Sequence, residues 1–116
     1  MPQRSILIVE DDADLRESIV AGLGFGGHRV LEASRPEEAE PFLLREVLDL
    51  VITDLRMPGG GGLAVIRRSQ EVSPGLPVVV ITAFPSVDTA VQTLKQGAVD
   101  YLVKPFTVDQ LFDSVD

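Results

Sequence analysis

The hydrophobic pattern of the chain alternates between short apolar runs and longer segments in which apolar residues recur at helical spacing. Continuous apolar runs rich in β-branched residues are too short for helices and are typical of strands buried on both faces of a sheet. These runs predict strands at residues 6–9, 28–32, 50–53, 77–82 and 99–103.

The segments between the strands predict helices. After Asp12, apolar residues recur on one helical face, and a cluster of glycines ends that helix. A second helix is predicted to open at Pro36, and others at residues 63–71, 87–96 and 108–115. Strict alternation with short connections predicts an α/β fold, a flavodoxin-like (βα)5 doubly wound parallel five-stranded sheet in the order 2-1-3-4-5 with helices on both faces.

Length and composition narrow the class of protein. At 116 residues the chain fits one domain with its own core, and the absence of cysteine excludes disulfides and zinc–thiolate sites. A formal net charge of −8 argues against direct contact with nucleic acid phosphates. The start lacks a signal-peptide pattern, and no segment reaches the roughly 18 consecutive apolar residues of a membrane span, so a cytoplasmic location is predicted.

Acidic side chains follow two of the predicted strands. Asp54 comes directly after the third strand, and Glu10, Asp11 and Asp12 come directly after the first. If these strands are neighbours in a parallel sheet, their carboxyl ends bring the carboxylates to one edge, where open α/β sheets bind ligands. Because clustered carboxylates repel one another, a divalent metal is expected among them.

The fourth and fifth strands add a hydroxyl and an ammonium to this edge, because they end in Thr82 and Lys104. With these residues in place, the chain resembles a response-regulator receiver domain, the phosphorylation switch of two-component signalling. The resemblance covers essentially the whole chain. It depends on the motifs at residues 6–12, 51–58, 80–84 and 97–106.

The resemblance implies that Asp54 accepts a phosphoryl group from the phosphohistidine of a sensor histidine kinase. A carboxylate can attack phosphorus to give a mixed anhydride. The resemblance also implies a Mg²⁺ ion bound directly by Asp11, Asp54 and the main-chain carbonyl of Arg56, with Glu10 contributing through water. Mg²⁺ prefers hard oxygen ligands of this kind.

Further roles follow from the same resemblance. Lys104 would pair with Asp54 at rest and with a phosphoryl oxygen afterwards, and a cis bond to the proline that follows it would aim the ammonium inward. The Thr82 hydroxyl and the Ala83 N–H would donate to the phosphoryl group. Thr82 would then move toward the phosphate while Tyr101 turns inward. No general base is expected, because phosphoryl transfer mainly requires positioning and charge neutralisation.

The resemblance places the readout surface on the fourth helix, fifth strand and fifth helix, a face through which receivers commonly form homodimers. This surface contains Val87, Val91, Lys95, Tyr101 and Val108. Residues 1–116 are expected to form a single receiver domain whose last helix is cut short. The domain is expected to be the N-terminal part of a longer regulator whose output domain lies outside this sequence, and the motifs most resemble those of transcriptional regulators.

Several residues have a simpler interpretation. Asp12 is predicted to cap a helix rather than to bind metal. Thr82 could reflect β propensity alone, and Tyr101 could be a half-buried aromatic on an edge strand. His28, at the opposite edge of the sheet from the carboxylates, is expected at the surface. The four glycines at residues 59–62 predict a mobile loop, since glycine loses more conformational freedom on folding than any other residue.

Two other functions stay open. A metal-dependent phosphatase with an aspartyl nucleophile would usually carry a second aspartate two positions later, and Arg56 stands there instead. This disfavours an enzyme that acts on external substrates. The second alternative is a receiver that is never phosphorylated and serves only for docking. A calcium loop at Asp12 and Asp14 is excluded, because the required glycine and closing glutamate are missing.

Overall fold

The structure is a computed structural model that describes residues 3–57 and 60–115. Strands and helices alternate along the chain. The strands are β1 (Ser5–Val9), β2 (Arg29–Ala33), β3 (Leu50–Asp54), β4 (Val78–Thr82) and β5 (Asp100–Val103). The helices are α1 (Ala13–Phe25), α2 (Pro36–Arg45), α3 (Gly61–Val72), α4 (Val87–Lys95) and α5 (Val108–Val115).

All strand pairs are parallel, and the sheet has the order β2-β1-β3-β4-β5. The predicted fold class and strand order are therefore confirmed. Because β3 lies between β1 and β4, the carboxyl ends of these three strands meet at the centre of one sheet edge. The strand order changes direction between β1 and β3, and this switch point creates the crevice in which such sheets bind ligands.

The core lies in two layers, one on each face of the sheet. Side chains of a strand alternate between faces, so neighbouring residues of one strand belong to different layers. Under α2 and α3 lie Leu7, Val9, Val51, Val78 and Val80, packed with Ala39, Leu43, Val65 and Ile66. Under α1 and α5 lie Ile6, Ile8, Ile52, Val79 and Ile81, packed with Ile19, Leu23 and Leu111. These buried runs anchor the strands whose carboxyl ends form the sheet edge.

Two local predictions are wrong. His28 is buried, with only 6% of its surface exposed, and its Nδ1 accepts a hydrogen bond from the Arg4 N–H at 3.1 Å. The parallel pairing of β1 with β2 brings the chain before β1 against the ring. The second wrong prediction concerns the start of α3 within the run of glycines, and the predicted mobility of that run stays a prediction. Gly61 and Gly62 are buried and begin α3, two residues earlier than predicted, while Gly59 lies outside the described residues.

Within residues 3–57 and 60–115, none of the helices has the length and apolar character that crossing a bilayer requires.

Candidate functional site

Three carboxylates meet at the carboxyl ends of β1 and β3. The two strands pair with Val9 opposite Thr53, so the next residues, Glu10 and Asp54, are neighbours. One carboxylate oxygen from each of Glu10, Asp11 and Asp54 lies within 4.8 Å of the others. Glu10 and Asp54 are buried, whereas Asp11 is exposed to solvent. The structure thus gathers the acidic residues that the sequence predicted to lie together.

Lys104 completes the cluster from β5. Its Nζ donates hydrogen bonds to Asp54 Oδ2 at 2.9 Å and to Glu10 Oε1 at 2.7 Å, and the peptide bond that follows it is cis. Burial alone would lower the pKa of this ammonium, but the bonds to Glu10 and Asp54 outweigh burial and raise the pKa. Lys104 therefore stays charged. The contact with Asp54 was predicted, whereas the one with Glu10 was not.

Glu10 has a strongly altered acidity. Its side chain is fully buried, and this burial, together with the neighbouring Asp54, raises the pKa of the carboxyl to about 8 despite the bond from Lys104. Its Oε2 accepts the N–H of Asp12 at 3.2 Å. A buried carboxyl whose charge is this unfavourable is stabilised by an added cation, and the oxygen donors here are those that Mg²⁺ prefers. The residues present therefore fit a divalent metal.

Asp12 has the capping role that the sequence favoured. Its carboxylate accepts the N–H groups of Asp14 and Leu15 at 3.0 and 3.2 Å, at the start of α1. These bonds satisfy two donors that the first turn of a helix would otherwise leave without partners. Asp12 therefore closes the acidic loop without joining the carboxylate cluster.

The loop after β3 is held close to Asp54. The Arg56 N–H donates to Asp54 Oδ1 at 3.2 Å, and the Gly62 N–H donates to the Leu55 carbonyl at 2.9 Å. The Arg56 guanidinium lies 4.9 Å from the centre of the Phe84 ring, which comes from the loop after β4. This cation–π contact links the two loops beside the site, and the sequence analysis missed it.

Thr82 lies at the carboxyl end of β4, fully buried. Its hydroxyl accepts the Phe84 N–H at 3.1 Å, and its carbonyl accepts the Lys104 N–H at 2.7 Å. Ala83 is exposed beside Lys104, and both line an open groove of about 390 Å³. The remaining walls of the groove come from Asp12, Leu15, Pro105 and Phe106. The predicted phosphoryl-binding residues therefore all surround the same edge of the sheet.

Tyr101 is half-buried on the edge strand β5. Its hydroxyl lies 2.8 Å from Oγ1 of Thr89, in the first turn of α4. Thr89 also donates its main-chain N–H to Ser86, the residue that caps α4. The ring therefore connects β5 to α4. The sequence analysis missed Thr89, because a threonine in a helix carries no local signal of a contact with a distant strand.

Comparison with known proteins identifies the class. The family model for the response regulator receiver domain matches residues 6–116. The response regulator protein FleR of Pseudomonas aeruginosa is 44% identical over 110 residues, which cover 95% of this chain and 23% of FleR. The alginate biosynthesis transcriptional regulatory protein AlgB of the same organism is 41% identical over 109 residues, covering 94% of this chain and 24% of AlgB. The chain thus spans about a quarter of the length of these relatives.

Solved structures agree with this assignment. A response regulator from Burkholderia pseudomallei, with a phosphorylated aspartic acid, a calcium ion and citrate, has a TM-score of 0.91 at 27% identity and covers 98% of this chain and 67% of its own. The beryllofluoride-activated NtrC4 receiver domain dimer has a TM-score of 0.90 at 34% identity, covering 96% of this chain and 92% of its own. The chain belongs to the response regulator receiver domain family, whose members are phosphoacceptor modules in signalling.

Proposed function

We propose that Asp54 accepts a phosphoryl group from the phosphohistidine of a sensor histidine kinase in a Mg²⁺-dependent reaction. The observation that carries this proposal is the cluster at the sheet edge, where three carboxylates lie within reach of one cation and an ammonium contacts Asp54. The related Burkholderia structure, with its phosphorylated aspartic acid and calcium ion, supports the same assignment. The kinase and the cytoplasmic location predicted from the sequence form part of the proposal.

The residues of the cluster have complementary tasks in this transfer. An oxygen of Asp54 forms a bond to phosphorus while the phosphorus–nitrogen bond of the donor breaks and its electron pair returns to the imidazole. Mg²⁺, held by Glu10, Asp11, Asp54 and the Arg56 carbonyl, would supply charge neutralisation at the phosphoryl oxygens. Lys104, 2.9 Å from Asp54 Oδ2, is close enough to follow the new negative charge.

Two donors next to the nucleophile would bind the transferred group. The Thr82 hydroxyl accepts the Phe84 N–H, and a hydroxyl that accepts a bond can still donate its own proton. The Ala83 N–H is the second proposed donor, on the exposed side of the groove. Arg56 stands where a phosphatase would place its acid/base aspartate. We therefore infer a signalling switch that catalyses only its own phosphorylation and dephosphorylation.

Phosphoramidate, a small donor with a phosphorus–nitrogen bond, tests this function. With Mg²⁺, the intact mass of the protein is expected to increase by one phosphoryl group, and EDTA is expected to prevent the increase. Hydroxylamine should remove the group, because it cleaves acyl phosphates and leaves serine and threonine esters intact. The proposal is contradicted if the protein stays unmodified, or if it is modified even in EDTA and keeps the group in hydroxylamine.

An output domain is proposed from the lengths of the relatives. FleR and AlgB are each about four times as long as the segment they share with this chain. We propose that this receiver controls a covalently attached domain with a transcriptional role, since the related AlgB is a transcriptional regulatory protein. The receiver itself, with its net charge of −8, is not expected to contact nucleic acid.

A homodimer is proposed through α4, β5 and α5. Val87, Val91 and Leu94 are exposed, and their spacing places them on one face of α4. Val103 of β5 is also exposed, and Tyr101 is half-buried. The Val108 side chain lies outside the described residues, so its predicted place on this surface is untested. An apolar helix face next to the Tyr101–Thr89 contact connects the proposed switch to an association surface, and the related NtrC4 receiver is a dimer in its activated form.

Val91→Asp should prevent association of the phosphorylated protein, because it buries a charge in the proposed apolar interface. Sedimentation velocity before and after phosphoramidate treatment measures this. Val47→Asp is the matched control, since Val47 is also an exposed valine but lies between α2 and β3. If Val91→Asp dimerises as wild type does, the interface lies elsewhere.

A further inference from the structure

We infer that Arg16 is a positioning residue for the metal site. It lies on α1, and its half-buried side chain reaches back to the carboxyl ends of β1 and β2. Nη1 donates to the main-chain carbonyl of Glu10 at 2.7 Å, and Nε donates to Glu32 Oε1 at 3.2 Å. This inference depends on the proposed function, because it concerns how the same carboxylates are held.

The carbonyl that Arg16 binds belongs to the peptide group that joins Glu10 to Asp11, the two proposed metal ligands from β1. A peptide group is planar, so a hydrogen bond to its oxygen restrains the rotation of the whole unit. The direction in which the chain leaves the strand, and with it the position of the Asp11 carboxylate, depends on that rotation. Arg16 therefore acts on the geometry of the cluster without belonging to it.

The rest of Glu10 is restrained from other directions. Its N–H donates to the Ala33 carbonyl at 3.0 Å, which continues the pairing of β1 with β2. Its carboxylate is held by Lys104 and by the Asp12 N–H. The bond from Arg16 restrains the side of the residue that faces Asp11. Asp11 itself is exposed, so its position depends on the main chain before it.

Glu32 orients the guanidinium. It lies on β2 opposite Ile8, one strand away from the acidic cluster. An arginine held by two acceptors in different directions loses much of its rotational freedom, and its planar fork suits this arrangement better than an ammonium does. The contact across α1, β1 and β2 is therefore a rigid support for the Glu10–Asp11 peptide.

Two effects of Arg16 on Mg²⁺ have opposite signs, and this makes the inference testable. A positive charge near the carboxylates opposes cation binding, so loss of the charge alone would tighten Mg²⁺ binding. Loss of the restraint on Asp11 would weaken it. Residues that orient metal ligands typically change affinity by 10- to 100-fold when replaced. Since Arg16 contacts the main chain directly, the restraint is expected to outweigh the charge.

The test is calorimetric titration of Mg²⁺ into the metal-free protein at 25 °C, with no phosphoryl donor present. Arg16→Gln is expected to raise the Kd about tenfold. Arg16→Lys is also expected to raise the Kd, because an ammonium cannot keep both acceptors in the same geometry. The increase should be smaller than in Arg16→Gln, because an ammonium can still donate to one of the two acceptors. Arg29→Gln is the matched control, since Arg29 also pairs with a glutamate but lies at the other end of β2, and it should bind Mg²⁺ as wild type does.

A second readout separates positioning from general damage to the fold. In phosphoramidate reactions, the Mg²⁺ concentration for half-maximal rate should increase in Arg16→Gln, while the rate at saturating Mg²⁺ stays near that of wild type. Urea unfolding confirms that each variant is folded at 25 °C. If Arg16→Gln does not fold, Arg16→Lys provides the same test.

The inference is overturned, and the proposed function left intact, if the wild-type protein binds Mg²⁺ and the folded Arg16 variants bind it with an unchanged or lower Kd. A wild-type protein that neither binds Mg²⁺ nor takes up a phosphoryl group would overturn both.

Discussion

Asp54→Asn is expected to abolish uptake of the phosphoryl group from phosphoramidate while leaving the fold intact. Asparagine has nearly the same shape, but its amide is a far weaker nucleophile than a carboxylate and cannot form the mixed anhydride. It also removes one proposed ligand of the metal. Intact-mass spectrometry under the conditions that modify the wild-type protein measures the outcome.

The fold should tolerate this change because Lys104 keeps a partner. Its Nζ also lies 2.7 Å from Glu10 Oε1, and loss of the Asp54 charge removes one cause of the raised pKa of Glu10, so Lys104 keeps an acidic partner. Asp113→Asn is the control, since it makes the same chemical change at an exposed position on α5 and should be phosphorylated normally. An Asp54→Asn protein that still gains a hydroxylamine-labile group would place the nucleophile on another residue.

Gly61→Ala is expected to lower the free energy of unfolding by about 3 kcal/mol. Two costs add up here, because the new side chain overpacks a buried position and alanine disfavours a left-handed backbone. A Cβ at Gly61 would overlap the carbonyl oxygen of Leu55, and the residue has a φ of +62°. The neighbouring Gly62 is also closely approached by main chain, because a Cβ there would lie 2.6 Å from the Asp54 carbonyl oxygen. Urea unfolding, with the midpoint and slope fitted for each variant, measures the loss.

The matched control is Gly24→Ala in α1. A Cβ at Gly24 would meet nothing within 4 Å, and the residue lies within a helix. Alanine is favoured over glycine there by about 0.5–1 kcal/mol, so this variant is expected to be slightly more stable than wild type. Equal stability of the two variants would show that the start of α3 can move away from the loop after Asp54. The close approach would then be unnecessary for the fold.

These glycines show where sequence reasoning failed. Local entropy alone predicts a loop over all four glycines, yet Gly61 and Gly62 are buried in the first turn of α3. The reason for glycine at these positions is the main chain of Leu55 and Asp54, which approaches too closely for any side chain. A distance between two segments of main chain has no signature in the sequence of either one. His28 was misplaced for a similar reason, since a partner at Arg4 buries it.

The fold and the main cluster could be predicted because their signals are repeated or local. Apolar runs such as residues 78–81 can be buried only between layers of helices, and their alternation with helical segments leaves few topologies. Parallel strands then place the residues after each run at one sheet edge, and this alone predicts that Glu10, Asp11 and Asp54 lie together, as they do. The N-cap at Asp12 depends only on its own neighbours and was also predicted correctly.

The contacts that the sequence missed join distant segments through single atoms. Lys104 bonds to Glu10 as well as to Asp54, Tyr101 reaches Thr89, and Arg16 holds the carbonyl of Glu10. Periodicity determines which face of an element is buried, and so the sequence by itself determined the layers and the set of charges at the edge, and it left few possible strand orders. Only the tertiary structure decided which donor meets which acceptor, because a hydrogen bond depends on tenths of an ångström set by the packing of the whole core.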